Sequence, residues 1–580
     1  MYKTIIPHIP EKRNIYFYIG LVSAIFGSCI GSDDLKKQGF LYGSAVLMVS
    51  ALIVKLMGAV FRIPLANMLG GGGMGYFSAA YGIFMPVYAV SVTGLPSAAA
   101  KAVASAETSG RYTPRQIKTA ALRLFGTVGA VGTLIIILGA YPLCRFVSGD
   151  IKALPAVMAI APSVLAGCLV SVYRGYFEGM RNMYPTAVSQ VIEGFAKAVL
   201  GLALCGGCIS FAKHRPDDFL MLTGCAGRGV SAEEAAVPYA AAAAVMGVTL
   251  SSFAGLIYIM IKGRGRDAVR CRKDIDRELM RTAVPMAAGA LVTNLTSLID
   301  LVTIMRSLKI VVRKTPWLFS HLLGAGISYN DMPNFIYGSF TGLAVTLFNL
   351  VPSLTNMLGK SMLPAASAAK AAGDKKRLGE CSAVVIFAAA FISVPAGLGI
   401  SVLADEILTL LFSGRTAEIA VCADAMRVLG LAVPFVCISS AAFAVLQAAD
   451  RADIPVKLMG IGAAVKLAGN LILTAVPGLN VTGAAMATLI CYAVICAMSL
   501  GALTLHGELD LRRTAAICAR ISAAGALCAA GAFFTAKQLP TDSDILIRTG
   551  VSCLTGAIIY ILSTYFSGVI TKSTLKMLIS

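Results

Sequence analysis

Charge is scarce in this sequence. Asp, Glu, Lys and Arg together make up 13% of its 580 residues, about half the share found in ordinary soluble domains. That is too little polar surface to keep several apolar cores in water, so a soluble enzyme and a disordered chain are both excluded. Histidine is also sparse. His8, His214, His321 and His506 are scattered, and no pair of them has metal-ligand or catalytic spacing. No GxxxxGK[ST] loop is present, so the chain does not power itself with a nucleotide. No catalytic constellation, cofactor site or metal site is expected. The 15 cysteines are odd in number and irregularly spaced, and most lie in apolar runs, where cysteine packs as a small hydrophobe. They form no disulfide framework. Cys205-Gly-Gly-Cys208, with His214 and Cys225 nearby, has the wrong spacing for a structural zinc site.

What is present is apolar sequence. Hydrophobic residues make up 57% of the chain and the mean hydropathy is +0.79. Stretches of about 20 apolar residues, the length that crosses a bilayer as a helix, recur at 39–68, 75–99, 119–143, 154–176, 185–211, 236–261, 281–305, 334–359, 381–403, 419–448, 455–476, 480–505, 514–536 and 546–569. The expectation is an all-α, polytopic membrane protein with about 14 spans. Asn14 to Gly31 is a further apolar stretch behind Lys12-Arg13, read as an interfacial segment or an extra helix in an N-terminal extension over 1–35.

The net charge of +20 follows from topology. If Lys36-Lys37 lies in the cytoplasm, alternate loops on that side carry 28 Lys and Arg, and the opposite loops carry 12. Acidic residues split almost evenly, and an excess confined to Lys and Arg marks the cytoplasmic side. Both ends of the 14-helix body are therefore expected in the cytoplasm of a cell membrane. Nucleic acid is not implied.

The chain also contains a diluted copy of itself. Leu95-Pro96-Ser97-Ala98-Ala99-Ala100-Lys101 is matched by Leu363-Pro364-Ala365-Ala366-Ser367-Ala368-Ala369-Lys370, and Tyr184-Pro185 by Ile454-Pro455. The nearly constant offset predicts two parallel six-helix lobes, an arrangement that places a substrate site near the membrane midplane. The expected divisions are an N-lobe over 36–262, a linker over 263–280, a C-lobe over 281–506, and a helix pair with a tail over 507–580.

Nine ionisable residues fall at membrane depth: Lys55, Arg62, Glu193, Lys197, Asp300, Asp424, Arg427, Lys466 and Arg520. Each is costly there unless it is paired or faces water, which makes it a functional candidate. Glu193 and Lys197 at i,i+4, and Asp424 and Arg427 at i,i+3, are spaced to satisfy one another. Arg520 and Lys55 can snorkel to an interface. Arg62, Lys466 and Asp300 have no such partner nearby in sequence. With Arg62 and Lys466 in different lobes, the cavity between the lobes is expected to be cationic and to suit an anion. The Arg fork is particularly suited to phosphate. Gly70 to Gly73 reads as a tight outer turn, and Trp317 as part of a membrane-surface segment.

Arg62-Ile63-Pro64-Leu65, the run from Tyr173 through Arg174, Glu178 and Pro185 to Glu193, and Pro477 to Ala485 resemble the polysaccharide transporter branch of the multidrug/oligosaccharidyl-lipid/polysaccharide (MOP) exporter superfamily. The likeness is to its stage V sporulation protein B group, which is related to MurJ-type lipid II flippases. It runs from about Lys36 to the end. It implies a V-shaped pair of lobes that moves undecaprenyl-pyrophosphate-linked saccharides between leaflets by alternating access. Arg62 then matches a cavity arginine, with Lys55, Lys197 and Lys466 as further substrate-binding candidates. Asp300, Glu193, Asp424 and Arg427 are candidates for ion coupling or structural pairing. The implied partners are an anionic diphosphate lipid and membrane lipids, with a coupling ion or the membrane potential resetting the cycle. Departures from the pattern are the missing acid in Gly70 to Gly73 and the long outer loops at 212–235 and 309–333. Two other readings stay open: a cation-coupled drug antiporter of the same superfamily, and a non-transporting scaffold of an envelope-synthesis complex.

Overall fold

The computed structural model describes residues 40–569, apart from 110–111, 227–228, 230, 265–272, 450, 507–508 and 541–543. The N-terminal extension and the tail carrying Lys572 and Lys576 lie outside these residues. The described chain is nearly all helix, and no strand occurs among the described residues.

Thirteen long helical segments account for the body. By the division expected from the sequence, the first lobe comprises α1 (Val46–Ala106), α2 (Pro114–Ser148), α3 (Ile151–Gly179), α4 (Tyr184–His214) and α5 (Ala232–Lys262). The second is built from α6 (Lys273–Lys314), α7 (Met332–Asn356), α8 (Lys376–Val402), α9 (Thr416–Ala448), α10 (Asp453–Leu473) and α11 (Asn480–Leu505). The C-terminal pair is α12 (Thr514–Gln538) and α13 (Ile545–Phe566), whose helices pack on each other and against α8.

The α1 segment has 61 residues and would be about 90 Å long if straight, roughly three times the hydrocarbon thickness. It crosses twice because the helix breaks at Gly70, whose φ of 61° and ψ of −174° are open to glycine and strained for other residues. The expected outer turn is therefore a single glycine, not a four-residue loop. Helix continues on either side of it.

In the same way the expected span 281–305 is one part of the 42-residue α6. Its start packs on the first lobe: Ile275, Leu279 and Ala283 share a core with Val103, Ile117 and Phe125. Its far half belongs to the second lobe, where it lies along α10. Pro114 follows the capping residue Thr113, whose side chain accepts from the Gln116 amide while the Gln116 side chain returns the bond.

The loops fall on two sides. Among the described residues, one side carries 112–113, 180–183, 263–264 and 451–452. The other carries Gly70, 149–150, 215–226, 315–331 and 412–415. On that second side the long loops fold back as short helices, Pro216–Leu222 and Ser320–Gly324. Trp317 is exposed while Phe319 and Leu322 turn inward, so this segment has one apolar face outward and one docked.

The lobes meet tightly on the second side. Gly338 of α7 lies so close to α1 that an added Cβ would sit 1.8 Å from the Gly71 carbonyl oxygen and 2.3 Å from the Gly75 nitrogen. Small residues allow this backbone approach between membrane helices. Polar bonds surround it. Asn334 Nδ2 donates to the Gly72 carbonyl at 2.8 Å, Asn67 Nδ2 to the Leu411 carbonyl at 2.9 Å, and the Gly71 amide to Glu418 Oε1 at 3.1 Å. Arg415 Nη2 donates to the Asn67 carbonyl, and Lys152 pairs with Asp331 at 2.7 Å. Together these contacts seal the side away from the basic loops.

Candidate functional site

Behind that seal, at mid-depth, the intramembrane charges converge. Arg62 follows Phe61 on the inner face of α1. It lies within electrostatic range of Tyr81 and Tyr337, and its Nη1 donates to Thr346 Oγ1 at 3.2 Å. It retains accessible surface. Among the described residues no carboxylate pairs with it. Lys55 stands seven positions earlier, which places it on the same face of α1, about 10 Å closer to the basic side. It is exposed.

Lys197 of α4 reaches the same region. Its Nζ lies 5.4 Å from the centroid of the Phe61 ring and 5.5 Å from that of Tyr81. Aromatic faces attract the ammonium without neutralising it. Tyr81 thus lies beside Lys197 and within electrostatic range of Arg62, and among the described residues its buried hydroxyl has no hydrogen-bond partner.

The expected pairing of Lys197 with Glu193 does not form. Glu193 turns to Arg174 of α3 at 2.9 Å and accepts from Ser252 of α5 at 3.2 Å. Arg174 also donates to Ser189 at 2.9 Å. The Arg174 fork bonds α4 at two points, and the Glu193 carboxylate carries the network on to α5.

Lys466 and Asp300 are not the isolated charges the sequence suggests. Lys466 Nζ meets Asp300 Oδ2 at 2.7 Å, joining α10 to α6. Asn470 Nδ2 lies 2.9 Å from Asp300 Oδ1 and 3.0 Å from Thr303 Oγ1. The partners are 166 positions apart, so a search for neighbours within one helical turn could not find them. Tyr337 lies within electrostatic range of both Arg62 and Asp300.

In the repeat expected from the sequence the two lysines hold neighbouring, not identical, positions. Lys197 is 12 positions after Pro185, and Lys466 is 11 after Pro455. One helix in each lobe thus carries an inward-facing ammonium. The first lobe receives it on aromatic rings and the second on a carboxylate.

Asp424 and Arg427 do pair with each other, and Arg427 also binds Asp405. All three are exposed, and Asp424 and Arg427 lie two to three turns into α9. Arg520 is exposed on α12.

Several residues that shape this region carry little signal in the sequence. Thr346, Thr341, Tyr337 and Tyr81 are unremarkable polar positions in apolar helices. The small-xxx-small spacings Gly71 to Gly75 and Gly338 to Gly342 are the signal that could have pointed to the seal.

The geometry is that of two lobes closed at one side over a cationic centre. Residues 40–209 match the family model for polysaccharide biosynthesis proteins, and residues 339–472 match the MatE model. Stage V sporulation protein B of Bacillus subtilis (strain 168) is 26% identical over 469 residues, covering 78% of this chain and 81% of that protein. The chain carries polysaccharide-biosynthesis and MatE domains and is homologous to stage V sporulation protein B. The lipid II flippase MurJ of Bacillus subtilis (strain 168) is 23% identical over 474 residues, covering 78% and 80% of the two chains.

Solved structures show the same fold. A lipid II flippase MurJ in an inward closed conformation superposes with a TM-score of 0.65 at 12% identity, over 90% of this chain and 98% of that one. An inward-facing multidrug resistance transporter of the MATE family gives 0.58 at 13% identity, over 82% and 98%. These relatives support a multi-pass membrane protein among the flippases and transporters of the MOP superfamily.

Proposed function

We propose that the chain moves undecaprenyl-pyrophosphate-linked saccharides, lipid II or polysaccharide repeat units, from the inner to the outer leaflet by alternating access. The single observation that carries this reading is the Arg62 centre. A guanidinium and an ammonium share Tyr81 there, and no carboxylate neutralises either among the described residues. Such a centre attracts an anion, and a diphosphate matches the arginine fork. The basic loops then face the cytoplasm, and the sealed side faces out.

In this reading the diphosphate enters from the basic side past Lys55 and reaches Arg62 and Lys197, while the polyprenyl tail stays in lipid. Binding removes the repulsion between the two cations and favours rearrangement of the lobes. The sugar is not selected by this centre, which reads the diphosphate common to the whole class. The membrane potential, worth about 2.3 kcal/mol per charge per 100 mV, is sufficient to reset fixed cations of this kind.

The pairing of carboxylates weighs against a cation-coupled drug antiporter. Asp300 is occupied by Lys466 and Asn470, and Glu193 by Arg174 and Ser252. The test is leaflet-resolved accessibility of labelled lipid II in vesicles with and without the protein, repeated with other lipid-linked saccharides. Movement that depends on the protein and is lost in Arg62→Ala, with membrane insertion intact, supports the reading. Normal movement by that variant refutes it.

A further inference from the structure

A line of hydroxyls joins the two lobes through the centre of the protein. Arg62 of the first lobe donates to Thr346 Oγ1 of the second at 3.2 Å. Thr346 Oγ1 donates to the Thr341 carbonyl at 3.2 Å. Thr341 Oγ1 lies 2.8 Å from Ser78 Oγ, back in the first lobe, and 2.8 Å from the Tyr337 carbonyl. Thr346 and Ser78 are buried.

The line exists because of a local irregularity in α7. Residues Phe340–Ala344 form a π-helical turn. In a regular α-helix, side chains five positions apart point about 140° away from each other. A π turn closes its bonds at five residues, so it brings Thr341 and Thr346 onto one face. Both can then address the first lobe at once, and the Thr346 side chain satisfies the Thr341 carbonyl.

Thr346 is a weak partner for an arginine. A neutral hydroxyl takes one of the five N–H donors of Arg62, and no carboxylate holds the guanidinium among the described residues. Hydrogen bonds from a guanidinium to anionic oxygens are about twice as strong as bonds between neutral groups. An arriving diphosphate therefore outcompetes Thr346.

We propose that Thr346 is the positioning residue that holds Arg62 across the lobe boundary, and that substrate diphosphate drives the transition by taking Arg62 from it. This rests on the proposed function. A ligand shifts a two-state equilibrium only through differential affinity. The differential here is an Arg62 fork free for phosphate in one state and shared with Thr346 in the other. Loss of the Arg62 bond leaves Ser78 as the remaining side-chain hydrogen bond from the π turn to the first lobe among the described residues, which weakens the seam beneath the seal.

The experiment uses the full chain in lipid nanodiscs with spin labels at Ile151→Cys and Asn330→Cys, exposed positions on opposite lobes of the sealed side. Undecaprenyl diphosphate is the probe, and undecaprenyl monophosphate is compared with it. Without lipid, Thr346→Val should raise the long-distance population severalfold over wild type, and Thr346→Ser should restore the wild-type distribution. In wild type the diphosphate should raise that population, and in Thr346→Val most of its effect should be gone.

A Thr346→Val protein with wild-type distances in the absence of lipid overturns the proposal. So does a serine variant that behaves like the valine one, since serine keeps the hydroxyl that valine lacks. If wild type ignores the diphosphate while Thr346→Val is already open, the substrate reading fails and the role of Thr346 in joining the lobes stands.

Discussion

Lys466 and Asp300, 166 positions apart, form a 2.7 Å ion pair between α10 and α6 in the middle of the second lobe. Lys466 is almost fully buried, and Asn470 ties the same carboxylate to Thr303. This pair fixes the far half of a helix whose near half belongs to the other lobe.

Removing one partner leaves the other charge uncompensated, which typically costs about 3–5 kcal/mol. Lys466→Met and Asp300→Asn should each lower the thermal unfolding temperature and the yield of monodisperse protein in detergent. The exchanged pair, Lys466→Asp with Asp300→Lys, should recover a substantial part of the loss. Equal damage in the single and exchanged variants would show that the pair does not carry the coupling.

The approach of Gly338 to Gly71 and Gly75 is backbone against backbone, so no side chain can move aside for a new methyl group. Gly338→Ala should therefore weaken the outer seal while leaving each lobe folded. A cysteine placed at Ser339, fully buried at present, should react with an impermeant thiol reagent several times faster in that background. Unchanged protection would mean that the lobes meet elsewhere.

Glu193 depends on Arg174, not on Lys197. Arg174→Met should destabilise the first lobe, because it strands a carboxylate that also holds Ser252. Lys197→Met should leave unfolding nearly unchanged and weaken binding of undecaprenyl diphosphate. Thermal scans and a lipid-binding titration on the same two variants separate the effects. The assignment fails if Lys197→Met is the more destabilised of the two.

In the proposed orientation, external pH should act on the seal through Asp150, which lies in the 149–150 loop with Lys152, Lys309 and Asp331 in electrostatic range. Burial raises its pKa above the ordinary carboxylate value, outweighing the opposing bond and charge from Lys152. Opening the seal exposes Asp150 to water and returns it toward that ordinary value. The proton is thus held more tightly in the closed form, so closure is favoured at low pH and loses that contribution as pH rises through the raised pKa. Distances across the sealed side should lengthen as external pH increases over that range, and Asp150→Asn should remove the dependence.

The architecture was largely legible because each of its causes is local. Apolar stretches set the spans, and prolines and glycines mark their ends and breaks. The site was legible one residue at a time. Arg62 and Lys197 could be singled out, since a charge in an apolar helix stands out by itself. Their partners could not, because helical spacing pairs only residues one turn apart, whereas Asp300, Arg174 and Thr346 come from other helices. The π turn in α7 was hidden for a related reason: Phe340 to Ala344 continues the helix without a proline, and only packing against α1 reveals the change of register.

The two related lysines have a consequence for how the protein meets an electric field. In the second lobe the ammonium and its carboxylate form a dipole with no net charge, so a voltage across the membrane exerts almost no net force on that pair. In the first lobe Lys197 rests on rings that leave its charge intact, and Arg62 beside it is likewise not neutralised by an acid. Halves built on one plan have thus become electrically unlike, and voltage acts on them through the first.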